Sequence, residues 1–236
     1  MARGKRPEVR TIACSAQTIF AVLREPRKRR QFDKIADIPG LHGPPDAEAE
    51  RQAQELIELG LLGKDHGRYS IADWTVERIL EHLSLAGAIQ AMAAAEIAAR
   101  PGKADFSHLE ALNGALKAFD DRNPANLLSG AYLDYQLHLE VVRLCGNRAA
   151  LATYAKAIPP AVWIAGANYF QLDEARSSLT EHDRLIAYME AGDTLRARDA
   201  VAFHFEEAAA QIRRAGEARL ESYPAAVALP RSDRKV

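Results

Sequence analysis

The sequence predicts a mainly α protein: one small β-hairpin near the N-terminus, then an antiparallel all-α bundle of about six helices. Three observations carry that expectation. Apolar residues recur at helical spacing from Asp73 onward. Breakers at Pro101-Gly102, Asn123-Pro124, Gly146-Asn147, Pro159-Pro160 and Gly192-Asp193 cut that pattern into helix-length pieces. No alternating strand pattern follows Ile71, so helices must bury their apolar faces against other helices.

In chain order, residues 1–10 read as a basic arm carrying Arg3, Lys5, Arg6 and Arg10. Ile12, Ile19, Phe20 and Leu23 place a first helix within Thr11 to Glu25, ended by Pro26. After the basic run Arg27-Lys28-Arg29-Arg30, the stretch Gln31 to Ile38 reads as a second helix, stopped by Pro39-Gly40. Asp46 caps a third, with apolar positions at Ala49, Ala53, Leu56, Ile57 and Leu59 and Gly60 as its stop. Leu61 to Ile71 then reads as a small hairpin with a Gly-containing turn. Three short helices and a hairpin are the order of a winged helix-turn-helix whose third helix is the reading element. The expected division is residues 1–72 for this unit, 73–220 for the bundle and 221–236 for a tail.

Inside the bundle segment, Asp134 and His138 stand four residues apart in a stretch without a helix breaker, so one turn of helix stacks their side chains. His182 opens a later apolar-periodic segment and His204 sits in the middle of the next. If these point into the same bundle, one carboxylate and three imidazoles make a ligand set for a divalent ion such as Zn²⁺, Ni²⁺, Mn²⁺ or Fe²⁺. A single histidine on a helix is more often a satisfied core or surface residue, and His42, His66, His82 and His108 are read that way.

Composition narrows the class. At 236 residues the chain can build one large or two small domains. Its formal charge is −1, yet the first 34 residues hold ten Lys and Arg against Glu8, Glu25 and Asp33, so a polyanion would meet that end first. Two cysteines, Cys14 and Cys145, form no disulfide framework, which fits a reducing compartment and a cytoplasmic protein. The most apolar run, Leu83 to Ala99, is broken by Gln90 and Glu96, too short and too weak for a bilayer, and no secretory signal is visible.

The segment from Glu181 through Gly192-Asp193 and on through Ala197 and Ala200 to His204 resembles the end of the C-terminal ligand domain of GntR-type transcription regulators of the FadR (FCD) subfamily. Asp134-x-x-x-His138 followed by Gly146-Asn147 resembles that domain's other metal-binding segment, and the match runs from about Asp73 to Arg214. The resemblance implies Asp134, His138, His182 and His204 as metal ligands, zinc first among the candidates. It also implies a small carboxylate effector, operator DNA and a homodimer. The N-terminal part departs from the pattern: Asp46, Glu48 and Glu50 stand where DNA-contacting residues are expected, and Leu83 and Gly87 replace an Arg and a Glu common in relatives.

The leading expectation is a ligand-responsive regulator and not an enzyme. Arg143 and Arg176 are candidate effector contacts. Arg27, Lys28, Arg29, Arg30, Arg51, His66 and Arg68 are candidate DNA contacts, with solvated surface charge as their plain alternative. Two other classes stand beside it. A metalloenzyme would need a general base at an open metal position, and the sequence has no HExxH or Gly-rich phosphate loop; Glu181 adjoins a ligand but is expected to face elsewhere. A sensor without specific DNA binding is motivated by the acidic third helix. Ligand histidines must be neutral, so metal affinity is expected to fall as the imidazoles protonate below about pH 6.

Overall fold

In this computed structural model the described residues are 11–25, 30–41, 46–118, 124–167 and 172–216, with the side chains of 124–126 and 172–178 left aside. The basic arm, the tail from 217 and the Asn123 cap fall outside them.

Helix α1 (Ala16–Arg24) is capped by Ser15, whose side chain accepts from the Thr18 N–H, and it buries Ile19, Phe20 and Val22. Glu55 anchors the segment before it, accepting the Ala13 N–H at 2.7 Å and the Cys14 N–H at 2.5 Å. The expected second helix does not form. Gln31–Phe32 is instead strand β1, and Ile35–Asp37 is a single 3-10 turn. Phe32, Ile35 and Ile38 have helical spacing, but the backbone of 31–32 pairs with Ser70 and Tyr69 of the hairpin, which satisfies groups that a two-turn helix would leave open at both ends. Tertiary pairing overrides the local pattern.

Helix α2 (Ala47–Glu58) starts where expected, with Asp46 accepting the Ala49 N–H at 2.8 Å. Strands β2 (Leu62–Asp65) and β3 (Arg68–Ile71) follow, giving an antiparallel sheet in the order β1-β3-β2. Asp65 pairs with Arg68, so His66 and Gly67 are the whole loop, and their φ values of 46° and 84° are those of a type I′ turn.

The bundle comprises α3 (Val76–Ala98), α4 (Ser107–Lys117), α5 (Pro124–Leu144), α6 (Arg148–Ala157), α7 (Ala161–Gly166), α8 (Leu172–Glu190) and α9 (Thr194–Ala215). That is seven helices among the described residues, one more than the breakers suggested, because the stretch after Pro159-Pro160 divides into α7 and α8. Asn147 and Asp193 cap α6 and α9 through the N–H groups of Ala150 and Arg196. Helix α3 lies along α9 and against α5, while α4 and α8 close the other side. Ile79, Leu109, Leu112, Leu137, Val141, Ile164 and Ile212 are fully buried between them, each large apolar side chain contributing about 1.5–3 kcal/mol.

The N-terminal unit and the bundle meet at α7. The Ala161 N–H donates to the Leu59 carbonyl at the end of α2 at 2.8 Å, and the Trp74 indole N–H donates to the Gly60 carbonyl at 3.0 Å. Gly60 has φ 81°, and a Cβ there would stand 2.6 Å from Pro159 Cβ, so only glycine serves at this seam. No helix among the described residues is long and apolar enough to cross a membrane.

Candidate metal centre

Helix α5 is bound into the core by Leu133, Leu137, Val141 and Val142, which turns the Asp134–His138 face inward. His182 arrives from α8 and His204 from α9. The three imidazoles offer ligand atoms that all lie within 4.8 Å of one another. Ring centroids are 5.2 Å apart for His138–His182, 5.0 Å for His138–His204 and 4.8 Å for His182–His204. Asp134 stands at the edge of this group, its Oδ1 3.6 Å from His138 Nε2 and 3.5 Å from His182 Nε2.

The electrostatics are unusual for a helical core. His138 and His182 are buried, and Asp134 Oδ1, His138 Nε2 and both ring nitrogens of His182 are buried polar atoms without a hydrogen-bond partner among the described residues. Leaving such atoms unsatisfied costs about 1–3 kcal/mol each. Burial, with the neighbouring His204 adding to it, drives the pKa values of His138 and His182 well below the ordinary histidine value. Both imidazoles are therefore neutral, with lone pairs to give. Burial also pushes the Asp134 carboxyl up to about 6, although His204 and a hydrogen bond from Trp163 pull the other way. A quarter of the Asp134 side chain still reaches solvent, while its Oδ1 beside the imidazoles is buried.

The supporting residues come from α3, α6 and α7 and from the ligand-bearing helices α8 and α9. Gln90 Oε1 lies 2.8 Å from His138 Nδ1, and the Gln90 amide nitrogen donates to Tyr154 Oη at 2.8 Å. Glu181 Oε2 lies 2.8 Å from His204 Nδ1. Trp163 packs 5.3 Å from the His138 ring, and Phe205 packs at the same distance on another side. Gly87 leaves room for Phe205: a Cβ on it would come within 3.1 Å of Phe205 Cβ and Cγ. The buried Leu83 and Gly87 thus line the α3–α9 seam with apolar surface.

This donor set fits a divalent ion. Three imidazoles converge beside one carboxylate, two of them backed by second-layer hydrogen bonds as metal-ligating histidines usually are, and Asp134, His138 and His182 carry unpartnered buried atoms there.

Of the residues expected at the site, the structure brings Asp134, His138, His182 and His204 together. Glu181 corrects the sequence expectation: it faces His204 across the α8–α9 interface. Gln90, Tyr154 and Trp163 were not anticipated. Only Gln90 left a signal, as the polar break in the apolar run Leu83 to Ala99. Arg143 forms a bidentate pair with the buried Glu140 on its own helix. The side chain of Arg176 lies outside the described residues, as do Arg27, Lys28 and Arg29. Arg30 is tied to Asp73 at 2.8 Å, Arg51 to Glu48 at 2.6 Å and Arg68 to Asp33 at 2.8 Å, and His66 stands almost wholly exposed at the hairpin tip.

Comparison with known proteins agrees with this architecture. The family described as the FCD domain matches residues 81–207. No curated protein matches the chain. One similar solved structure is that of Lar, described as controlling the expression of the Listeria monocytogenes agr system and mediating virulence. It shares 14% identity over 71% of this chain and 80% of its own, with a TM-score of 0.56, a likeness of fold. The residues matched by the family make up more than half of the protein, and the chain belongs to the FCD-domain family, the C-terminal domain type of GntR-family proteins.

Proposed function

We propose that this protein is a ligand-responsive, DNA-binding transcription regulator whose helical bundle holds a divalent metal, zinc first, and senses a small carboxylate. The observation that carries the reading is the convergence of three imidazoles from α5, α8 and α9 inside an FCD bundle, with unpartnered buried atoms on Asp134, His138 and His182. Asp134, His138, His182 and His204 would hold the ion. When bound, it supplies positive charge that can take a carboxylate oxygen into its coordination shell.

The chain's own residues do the rest. Gln90 and Glu181 hold two of the imidazoles in place, Phe205 and Trp163 wall the centre with apolar rings, and the exposed edge of Asp134 is the side from which a ligand enters. Residues 1–72 form the reader and 73–220 the sensor. Helix α7 joins them: Trp163 bonds to Asp134 in the centre, and two residues earlier Ala161 bonds to Leu59 at the end of α2. An effector that prefers one setting of α7 shifts reader placement by that preference and no more. The exposed Leu85 and Met92 on α3 and Phe203 on α9 support a homodimer, which would pair two readers.

A second reading has its own observation. Helix α2 presents Glu48 and Glu50 in its first turn, and its Arg51 is neutralised by Glu48, an arrangement that opposes a phosphate backbone. A sensor working through protein contacts would look this way. Fluorescence anisotropy on DNA from upstream of the protein's own gene, against random DNA across a salt series with and without Zn²⁺, separates the two. Preference for the upstream fragment with a steep salt slope is the expected result. No binding at low salt on either fragment transfers the case to the second reading.

A further inference from the structure

Two of the three histidines have a partner behind them, and the partners differ. His204 Nδ1 faces the Glu181 carboxylate, which can only accept. His138 Nδ1 faces an amide, which can accept or donate according to which way Gln90 is turned. The amide nitrogen of the fully buried Gln90 lies 2.8 Å from the hydroxyl of the fully buried Tyr154, a contact that holds the amide in place but, since a hydroxyl both donates and accepts, leaves its direction to be decided at His138. As placed, Gln90 Oε1 is toward the ring. An oxygen at 2.8 Å requires a proton on His138 Nδ1, and hence a lone pair on Nε2.

The opposite arrangement fails on geometry. A turned amide would put N–H against Nδ1 and force the proton onto Nε2. There, inside a buried cluster, no acceptor among the described residues is in hydrogen-bond reach, Asp134 Oδ1 standing 3.6 Å away.

We propose that Tyr154 and Gln90 are positioning residues: a relay from α6 through α3 that fixes His138 as the Nδ1–H tautomer and so aims its Nε2 lone pair into the centre before any ion arrives. The inference rests on the reading of the cluster as a metal site for its purpose, though not for its chemistry. Tyr154 acts only through Gln90, and Gln90 only through His138.

The test uses the full-length protein, with ring-nitrogen NMR of histidine-labelled, chelator-treated samples beside Zn²⁺ titrations against a chelating dye. Wild type is expected to show the Nδ1–H form of His138. Gln90→Leu is expected to lose that single form and to weaken Zn²⁺ binding by about 10–100-fold. Gln90→Glu, which can only accept from His138 and can take the tyrosine proton, is expected to restore the tautomer and to bring Zn²⁺ affinity to within about tenfold of wild type. Should Gln90→Leu fail to fold, Tyr154→Phe keeps the buried ring and frees the amide, and His138 should then show both tautomers. An Nε2–H form in the wild type, or an unchanged tautomer in both Gln90→Leu and Tyr154→Phe, overturns the relay. A wild type that holds the Nδ1–H form yet binds no Zn²⁺ supports the relay and removes the metal reading instead.

Discussion

Glu181 on α8 and His204 on α9 meet across 2.8 Å, carboxylate oxygen to ring Nδ1, behind the face of His204 that looks toward His138 and His182. A carboxylate in that place orients the imidazole and fixes its outward nitrogen. Glu181→Ala is therefore expected to weaken Zn²⁺ binding by about 10–100-fold, and Glu181→Gln by less, since an amide oxygen still accepts. Competition with a chelating dye reads both. Equal affinity in all three proteins would remove Glu181 from the site.

Acid weakens metal binding through the aspartate before the two most buried histidines. With the Asp134 carboxyl pushed up to about 6 and His138 and His182 held well below their ordinary value, a proton on Asp134 competes with an ion ahead of one on either of those imidazoles. Zn²⁺ affinity should be nearly level above pH 7 and fall about tenfold per unit below about pH 6. Asp134→Asn should bind more weakly at neutral pH and lose that slope between pH 6 and 5. Titrations at four pH values decide it: a slope that survives in Asp134→Asn contradicts the assignment.

At the seam between the two parts, Gly60→Ala should destabilise the protein by more than about 1 kcal/mol, because φ is positive there and the new methyl meets Pro159. Thermal unfolding would show it. An unchanged melting temperature would mean that α2 and α7 are not held together as described.

Trp163→Phe keeps an aromatic ring against His138 but removes the indole N–H that bonds to Asp134. Metal should still bind, within about tenfold of wild type. The change in hydrogen exchange at Leu56 to Gly60 on adding Zn²⁺ should disappear. If that change persists at full size, α7 does not connect the centre to the reader.

Much of this was legible in the sequence because the relevant signals are local or periodic. Asp134 and His138 are one helical turn apart, Asp46 and Asp193 are recognisable caps, and the hairpin is marked by Gly67. What the sequence hid depends on partners far along the chain. Gln31–Phe32 becomes a strand only because Tyr69 and Ser70 are there to pair with it. Glu181 reaches His204 through the α8–α9 packing angle, and Gln90 reaches His138 and Tyr154 across separations of 48 and 64 residues. Helix periodicity fixes which face is apolar, not which polar atom across the interface it will meet.

The most direct test of the centre is isothermal titration of chelator-treated protein with Zn²⁺, in the wild type and in His182→Ala, whose ring has neither a hydrogen-bond partner among the described residues nor a second-layer support to lose. Wild type should take up about one ion per chain, and His182→Ala should bind at least about tenfold more weakly while keeping its fold by circular dichroism. Zinc uptake that is absent in the wild type, or unchanged in the variant, would contradict the metal-bearing sensor.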